Sequence, residues 1–371
     1  MRIRSWAIEY SLRCIRKEPR DLPARIWLLL LGLVSSIYGP VVRLRAIGYS
    51  MGLLGRSKLP APVISVGNIS LGGTAKTPMV EKIAGAFSQE KKRVSILSRG
   101  YGCSSYRETL IVSDGSRLLA RFPESGDEAY MLAKNLPSVA VLVGKDRFRT
   151  GSLAIESMKA EMIILDDGFQ HLPLERNLDL VLLDASDPFG HNHLFPRGLL
   201  REPIGHLSRA DLFVIVKGRE DEDLEEISKS LGRVNPRASI FSAMRYPLFL
   251  VRMPEENRQE LEAIRGKRSI ALSGIANPAS FLSVLEQLGA EVIRSFSFPD
   301  HHPYTLEELG RILNWAQRAG VEVLLTTQKD AVRIPLDFFP CPIPVVYPRI
   351  EIRVSREEEF FSLLRRVVSP S

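Results

Sequence analysis

The sequence predicts an α/β fold, a parallel sheet wrapped by helices, with an N-terminal apolar helix and a second, smaller α/β domain. Three observations carry this. Short, continuous apolar runs rich in β-branched residues recur from residue 61 onward, as expected of strands buried on both faces. They alternate with segments of helical spacing, the pattern of a parallel sheet with crossover helices. The first 60 residues differ in kind, combining a long uncharged run with a concentration of arginine and lysine.

In chain order, that uncharged run is IWLLLLGLVSSIYGPVV, residues 26–42, bracketed by Arg25 and by Arg43 and Arg45. As a helix it reaches about 26 Å at ~1.5 Å per residue, short of the ~30 Å of a bilayer core. Gly39-Pro40 is expected to break the helix near its end, and basic residues stand on both sides rather than on one. An interfacial helix is therefore expected over a spanning or a buried one, with arginines on anionic head groups. The run starts late for a signal peptide and lacks a small-residue cleavage site, so no cleaved signal is expected and the rest of the chain is expected on the cytoplasmic side.

The strands follow as VISV (63–66), VSIL (94–97), VAVLV (139–143), MIIL (162–165), LDLVLL (178–183) and LFVIV (212–216). Helical segments PMVEKIAGAFSQE and SGDEAYMLAKNL lie among them. A second set comprises SIALSG (269–274), EVIRSFSF (291–298) and VEVLLTT (321–327), with PASFLSVLEQLG and TLEELGRILNWAQRAG as its helices. The organisation expected is a membrane-associating segment at 1–60, a main domain at 61–240 and a smaller one at 241–371. Linker strands near 238–253 and 342–354 let the chain leave and return.

With 371 residues, 45% apolar and 25% charged, the chain has the composition of an ordinary folded protein with room for two cores. Cys14, Cys103 and Cys341 lie far apart with no C-x-x-C pair, which argues against structural zinc or a disulfide framework and points to a reducing compartment. Residues 1–60 hold eleven Arg and Lys against three acids, a balance of +8, so the other 311 residues sum to −1. A nucleic-acid partner is disfavoured, because the folded part carries no basic excess.

The chemistry-bearing stretches sit at strand exits. GNISLGGTAKTPMV (67–80) follows the first strand. In the pattern G-x-x-x-x-G-K-[ST], Lys76 and Thr77 are in place but Ser70 and Ala75 hold the glycine positions. Gly72, Gly73, Thr74 and Ala75 can still wrap a phosphate, with Lys76 bridging it and Thr77 on a magnesium ion; the alternative is a glycine turn before a helix. MIILDDGFQH ends a buried strand on Asp166 and Asp167, either magnesium-binding carboxylates or solvated turn residues. Asp127 and Glu128 open a helix, as acid-base groups or as partners of its dipole. His301 and His302 follow a strand. SRGYG (98–102) offers Arg99 as a phosphate partner, with Arg147 a candidate of the same sort. GHNHLFP contains the letters of an HNH nuclease, but His191 and His193 lack acidic or cysteine companions there, and a loop with incidental histidines is expected.

Together VGNISLGGTAKTP, ILSRGYG, GDEAYML, LDDGFQH, FGHNHLFPRGLLREP and FSFPDHHPY resemble the tetraacyldisaccharide 4'-kinases, in family order from about residue 60 to 330. The resemblance implies a P-loop NTPase-like fold and transfer of the γ-phosphate of ATP to the 4'-hydroxyl of an acylated glucosamine disaccharide 1-phosphate, in lipid A biosynthesis at the inner-membrane surface. It implies that Lys76 and Thr77 grip phosphate and Mg²⁺, that Asp166 and Asp167 complete the metal site, and that Asp127 and His301 form an acid-base pair. Arg99, Glu128, Arg147, Gln170, His171 and Glu202 match its polar positions. Ala75 replaces a usual glycine, and GHNH a more usual G-N-G. The rival reading is a membrane-associated partition ATPase. Such proteins usually carry a lysine where this chain has Leu71, and they need neither Asp127 nor His301.

Overall fold

The computed structural model describes residues 10–12, 14–15, 21–100, 103 and 109–368. The basic residues Arg2, Arg4, Arg13, Arg16, Lys17 and Arg20 and the last two residues of SRGYG lie outside them. The expected α/β class is observed. The described residues fall into two compact units, one within Met1–Lys76, Asp167–Ala243 and Val354–Ser371, the other within Thr77–Asp166 and Met244–Arg353.

The first unit opens with α1 (Leu22–Ser50), capped by Asp21, whose carboxylate accepts from the Ala24 N–H at 3.3 Å, with proline in the first turn. The expected break at Gly39-Pro40 does not occur. Pro40 lies inside a single 29-residue helix. An interior proline costs ~3 kcal/mol through a lost hydrogen bond and a clash with the preceding turn, and packing offsets that cost. Tyr38 donates to the Arg201 carbonyl at 2.8 Å, Ser35 to the Leu194 carbonyl at 3.0 Å, and a Cβ on Gly39 would lie 3.0 Å from the Leu194 side chain. One face of α1 is thus seated on its unit. The other exposes Leu22, Ile26, Leu29, Leu33, Ile37, Val41 and Leu44 at helical spacing. By length and composition the helix could cross a membrane.

The same unit holds three parallel strands, β1 (Val63–Asn68) paired with β6 (Leu178–Asp184), and β6 with β7 (Leu212–Lys217). β1 is buried at every position. Phe169, Phe213, Val181, Ile215 and Leu231 form its core, each side chain contributing ~1.5–3 kcal/mol by leaving water. α5 (Glu225–Val234) contributes Leu231 to that core, and in α9 (Glu357–Val368) Phe360 meets Phe241 edge to face.

In the second unit, β2 (Val94–Ser98) pairs in parallel with β4 (Ala140–Gly144) and β5 (Met162–Asp166), and an unforeseen β3 (Thr109–Asp114) adds antiparallel to β4. Its helices are α2 (Lys76–Gln89), α3 (Asp127–Asn135) and α4 (Arg147–Met158), the last capped by Asp146. A further parallel set orders as β11 (Glu291–Ser297), β10 (Arg268–Ser273), β12 (Val323–Thr326) and β13 (Val345–Val354), with β8 (Ser239–Met253) next to β13. β9 (Asn257–Gln259) pairs with β8. α6 (Pro278–Gln287), α7 (Leu306–Arg318) and the one-turn α8 (Gln328–Ala331) complete it. α7 starts in a full capping box between Thr305 and Glu308.

Candidate active site

The phosphate loop is built from the end of β1. Gly67 has no room for a side chain, since a Cβ there would sit 2.6 Å from the Phe169 Cβ and 2.8 Å from its amide nitrogen. That close approach interlocks the loop after β1 with the D-G-F-Q turn: Gly168 N–H donates to the Val66 carbonyl at 3.1 Å, and Gln170 Nε2 to the Asn68 carbonyl at 2.9 Å. Asn68 in turn donates to the buried Thr74 hydroxyl at 3.0 Å. The chain then passes Gly72 at φ 128° and Ala75 at φ 59° before α2 begins at Lys76.

Ala75 keeps the conformation for which glycine is usual, a left-handed residue leading into a right-handed turn, which makes neighbouring N–H groups converge on an anion. The left-handed backbone costs an alanine ~1–2 kcal/mol, and the residue is only 8% exposed. Ala75→Gly relieves that strain but loosens the unfolded chain by ~0.5–1 kcal/mol. The thermal midpoint is accordingly expected to move by less than about 3 °C, with the KM for ATP changed less than ~3-fold because Ala75 already holds the backbone path a glycine would take. A much larger fall in KM, measured by initial rates, would show that the methyl meets the phosphates.

Lys76 lies 3.7 Å from Asp167, whose other oxygen accepts from Arg201 at 2.7 Å. Asp167, also left-handed at φ 56°, therefore stands between two cations. Asp166 is 3% exposed and receives the Ser98 hydroxyl at 3.4 Å. Thr77 is half-buried in the first turn of α2. Among the described residues no three His, Cys, Asp or Glu side chains gather as a closed metal cage. Thr77 offers a hydroxyl and Asp166 and Asp167 offer carboxylates, hard oxygen donors of the kind that suit Mg²⁺.

The expected acid-base pair is brought together across 174 residues of sequence. Gly126 at φ 76° precedes α3, and Asp127, its first residue, is 2% exposed. Both its carboxylate oxygens face His301 Nδ1, at 3.1 and 2.9 Å. Arg333, itself 1% exposed, approaches Asp127 at 3.4 Å and binds Asp330 at 2.7 Å. Burial pushes the Asp127 carboxyl up, but the His301 hydrogen bond and the charges of Lys329 and Arg333 outweigh it and hold the group below the usual carboxylate range.

The remaining predicted residues divide. Glu128 binds Lys329 at 3.0 Å beside the pair, and Gln170 sits in the interlocked turn. His171, half-buried, offers its carbonyl to Arg176. Arg99 is exposed. Arg147 is 3% exposed and donates to the carbonyls of Ser98 and Gly144, tying β2 to β4. Glu202, 3% exposed, is held by His206 at 2.6 Å and Arg209 at 2.9 Å. His191 pairs with Asp187 at 3.4 Å in its loop, and burial and the charge of Arg197 lower the His193 pKa. Four charged residues were missed: Arg201, Asp300, Lys329 and Arg333. Arg201 lies inside the quoted G-L-L-R-E-P and Asp300 inside F-P-D-H-H, whereas nothing in the spacing of Q-K-D-A-V-R marked Lys329 and Arg333.

A family model described as tetraacyldisaccharide-1-P 4'-kinase matches residues 27–369. A tetraacyldisaccharide 4'-kinase of Halothermothrix orenii is 38% identical over 340 residues, covering 88% of each chain, and one of Anaeromyxobacter dehalogenans is 42% identical over 320 residues, covering 86% of this chain and 84% of its own. The crystal structure of LpxK from Aquifex aeolicus in complex with ATP is similar at a TM-score of 0.73 and 34% identity, covering 92% of this chain and 100% of that one.

Proposed function

The chain belongs to the tetraacyldisaccharide 4'-kinase family, and on that premise we infer that it moves the γ-phosphate of ATP to the 4'-hydroxyl of a tetraacylated glucosamine disaccharide 1-phosphate, the lipid A precursor step that yields lipid IVA. The observation that carries the chemistry is the buried Asp127 carboxylate oriented by His301. A sugar hydroxyl is a weak nucleophile. A carboxylate kept ionised by a hydrogen bond and two cations orients that hydroxyl and receives its proton as the P–O bond forms.

The loop residues Gly72, Gly73, Thr74 and Ala75 direct N–H groups at the phosphates, and Lys76 exchanges its contact with Asp167 for phosphate oxygens. Thr77, Asp166 and Asp167 are the residues that would hold Mg²⁺. When bound, the ion neutralises charge on the transferring oxygens. Arg201 offsets the second carboxylate when Lys76 leaves it. We assign Arg99 to substrate phosphate; Glu128, beside the His301 pair, and Gln170, in the interlocked turn, support the site through the contacts above, and Arg147, His171 and Glu202 are assigned supporting roles. In functional terms the membrane segment is 1–60, the phosphate loop belongs to 61–240, and 241–371 contributes His301.

The acceptor's four acyl chains anchor it in a bilayer, so its kinase works at that surface. We propose that α1 lies in the interface on the cytoplasmic face of the inner membrane, as a peripheral anchor. A helix with one face seated on its own unit at Ser35, Tyr38, Gly39 and Gly48 presents lipid with only the other, and that face is an apolar stripe ending near Arg43, Arg45, Arg56 and Lys58.

The test is acceptor-dependent transfer. Full-length protein with Mg-ATP and detergent-dispersed tetraacyldisaccharide 1-phosphate is expected to give a lipid product carrying one further phosphate, resolved by mass spectrometry. ATP hydrolysis indifferent to the acceptor, with no phosphorylated lipid, overturns the kinase reading.

A further inference from the structure

His301 is contacted on both ring nitrogens, and only one of those contacts belongs to the pair already described. Its Nδ1 faces Asp127, while its Nε2 lies 3.2 Å from the Lys329 ammonium. Lys329 stands in the single turn of α8, whose N-cap Thr327 accepts from the Asp330 N–H. Its side chain is 17% exposed, and it reaches Glu128 at 3.0 Å and Asp300 at 3.2 Å besides His301. An ammonium has three N–H donors and no acceptor, and here three acceptors surround it. Its backbone is fixed as well, since Arg333 Nε donates to the Lys329 carbonyl at 3.2 Å and Arg333 is itself locked on Asp330 and the Gly274 carbonyl.

A donor-only group at Nε2 requires a lone pair there, so the single ring proton of a neutral imidazole must sit on Nδ1, where it is donated to Asp127. We propose that Lys329 is a positioning residue for the transfer reaction: by filling the Nε2 lone pair it sets the Nδ1–H tautomer of His301, and so aims the Asp127 carboxylate as the proton acceptor. This rests on the reading of Asp127 and His301 as the acid-base pair. The chemistry has a direction. Without the ammonium, Nε2 faces the carboxylate of Asp300, 3.7 Å away, an acceptor that favours placing the ring proton on Nε2. A ring that donates through Nε2 turns a bare Nδ1 toward Asp127, so the hydrogen bond that aims the carboxylate is lost together with the ammonium's charge, and both losses let the Asp127 pKa rise.

The experiment is nitrogen NMR of the full chain labelled at its six histidines, with His301→Gln identifying the resonances, alongside pH profiles of transfer. Wild-type His301 is expected to carry its proton on Nδ1 with Nε2 bare at neutral pH. Lys329→Met is expected to move it to an Nε2-protonated form, to lower kcat by roughly 10²-fold, at the lower end of what acid-base groups contribute, and to shift the acid limb of kcat to higher pH. The KM for ATP is expected to stay within about 2-fold, since the partners of Lys329 are His301, Glu128 and Asp300 and not residues of the phosphate loop. Lys329→Arg, which keeps a donor-only cation, is expected to restore the tautomer and part of the rate. An Nε2–H proton in the wild type overturns the proposal without reference to any variant, as does a Lys329→Met protein that loses activity with tautomer and pH profile unmoved. If instead the tautomer follows Lys329 but Asp127→Asn still transfers phosphate at the wild-type rate, the acid-base reading itself falls, and the catalytic consequence of Lys329 with it.

Discussion

Asp127→Asn is expected to lower kcat for phosphoryl transfer by ~10²–10⁴-fold while leaving the KM for ATP little changed. The amide keeps the size of the carboxylate and can still accept the His301 Nδ1–H, so the geometry survives and the proton acceptor is lost. Arg333 keeps Asp330, 2.7 Å away, as its partner. The substitution nonetheless removes one charge facing a buried guanidinium, and a broken buried ion pair costs ~3–5 kcal/mol when the remaining charge is uncompensated; with Asp330 in place the loss of stability is expected to be smaller. Steady-state kinetics and a thermal unfolding curve separate the two effects. Parallel losses in turnover and nucleotide affinity would reassign Asp127 to binding.

The pH dependence follows from the direction of the Asp127 shift. A carboxyl held below the ordinary range in the folded protein contributes stability that is whole above its unfolded-chain value and is lost as pH falls through the lower folded one. Glu202 behaves alike: burial pushes it up, and the His206 hydrogen bond and the charge of Arg209 outweigh burial. Asp127 thus remains ionised through the mildly acidic range.

Replacing Leu29, Leu33 and Ile37 together by glutamate is expected to abolish binding to anionic vesicles. These side chains are 70%, 66% and 70% exposed on the open face of α1. Each buried in an acyl boundary contributes ~1.5–3 kcal/mol, so the three account for about 4.5 kcal/mol or more, over ~10³-fold in partitioning, before the cost of bringing carboxylates to an anionic surface. The positions do not pack on the rest of the protein, so the unfolding midpoint should hold and activity on detergent-dispersed acceptor should persist. Sedimentation with vesicles measures the loss; undiminished pelleting would place the contact surface elsewhere.

The elements that could be read in advance are those whose signals are local. Continuous buried runs marked β1, β2, β5, β6 and β7 because a strand covered on both faces needs apolar side chains at every position. The phosphate loop and the aspartate pair were legible as short patterns at strand exits, and the ordered motifs carried the family. β3 was not foreseen. Its alternating burial as an antiparallel neighbour of β4 leaves a weaker mark than a continuous run.

Contacts distant in sequence needed the folded chain. Pro40 is a helix breaker by its own chemistry, and the helix continues because Tyr38, Ser35 and Gly39 find partners near residues 194–201 that no window of sequence places beside them. Arg147 reads as a phosphate candidate because it is a guanidinium after a buried strand, and only the fold shows that it donates to the carbonyls of Ser98 and Gly144. Ala75 read as a lost glycine, whereas its positive φ retains the glycine's backbone and leaves only the added methyl in question. Lys329 carried no motif. Its significance is a distance, 3.2 Å to His301, set where one turn of helix meets the loop after β11. Local periodicity and residue chemistry thus specify elements and candidate ligands, while the pairing of charges follows from packing, because a buried ion takes its partner from whatever the fold brings within reach.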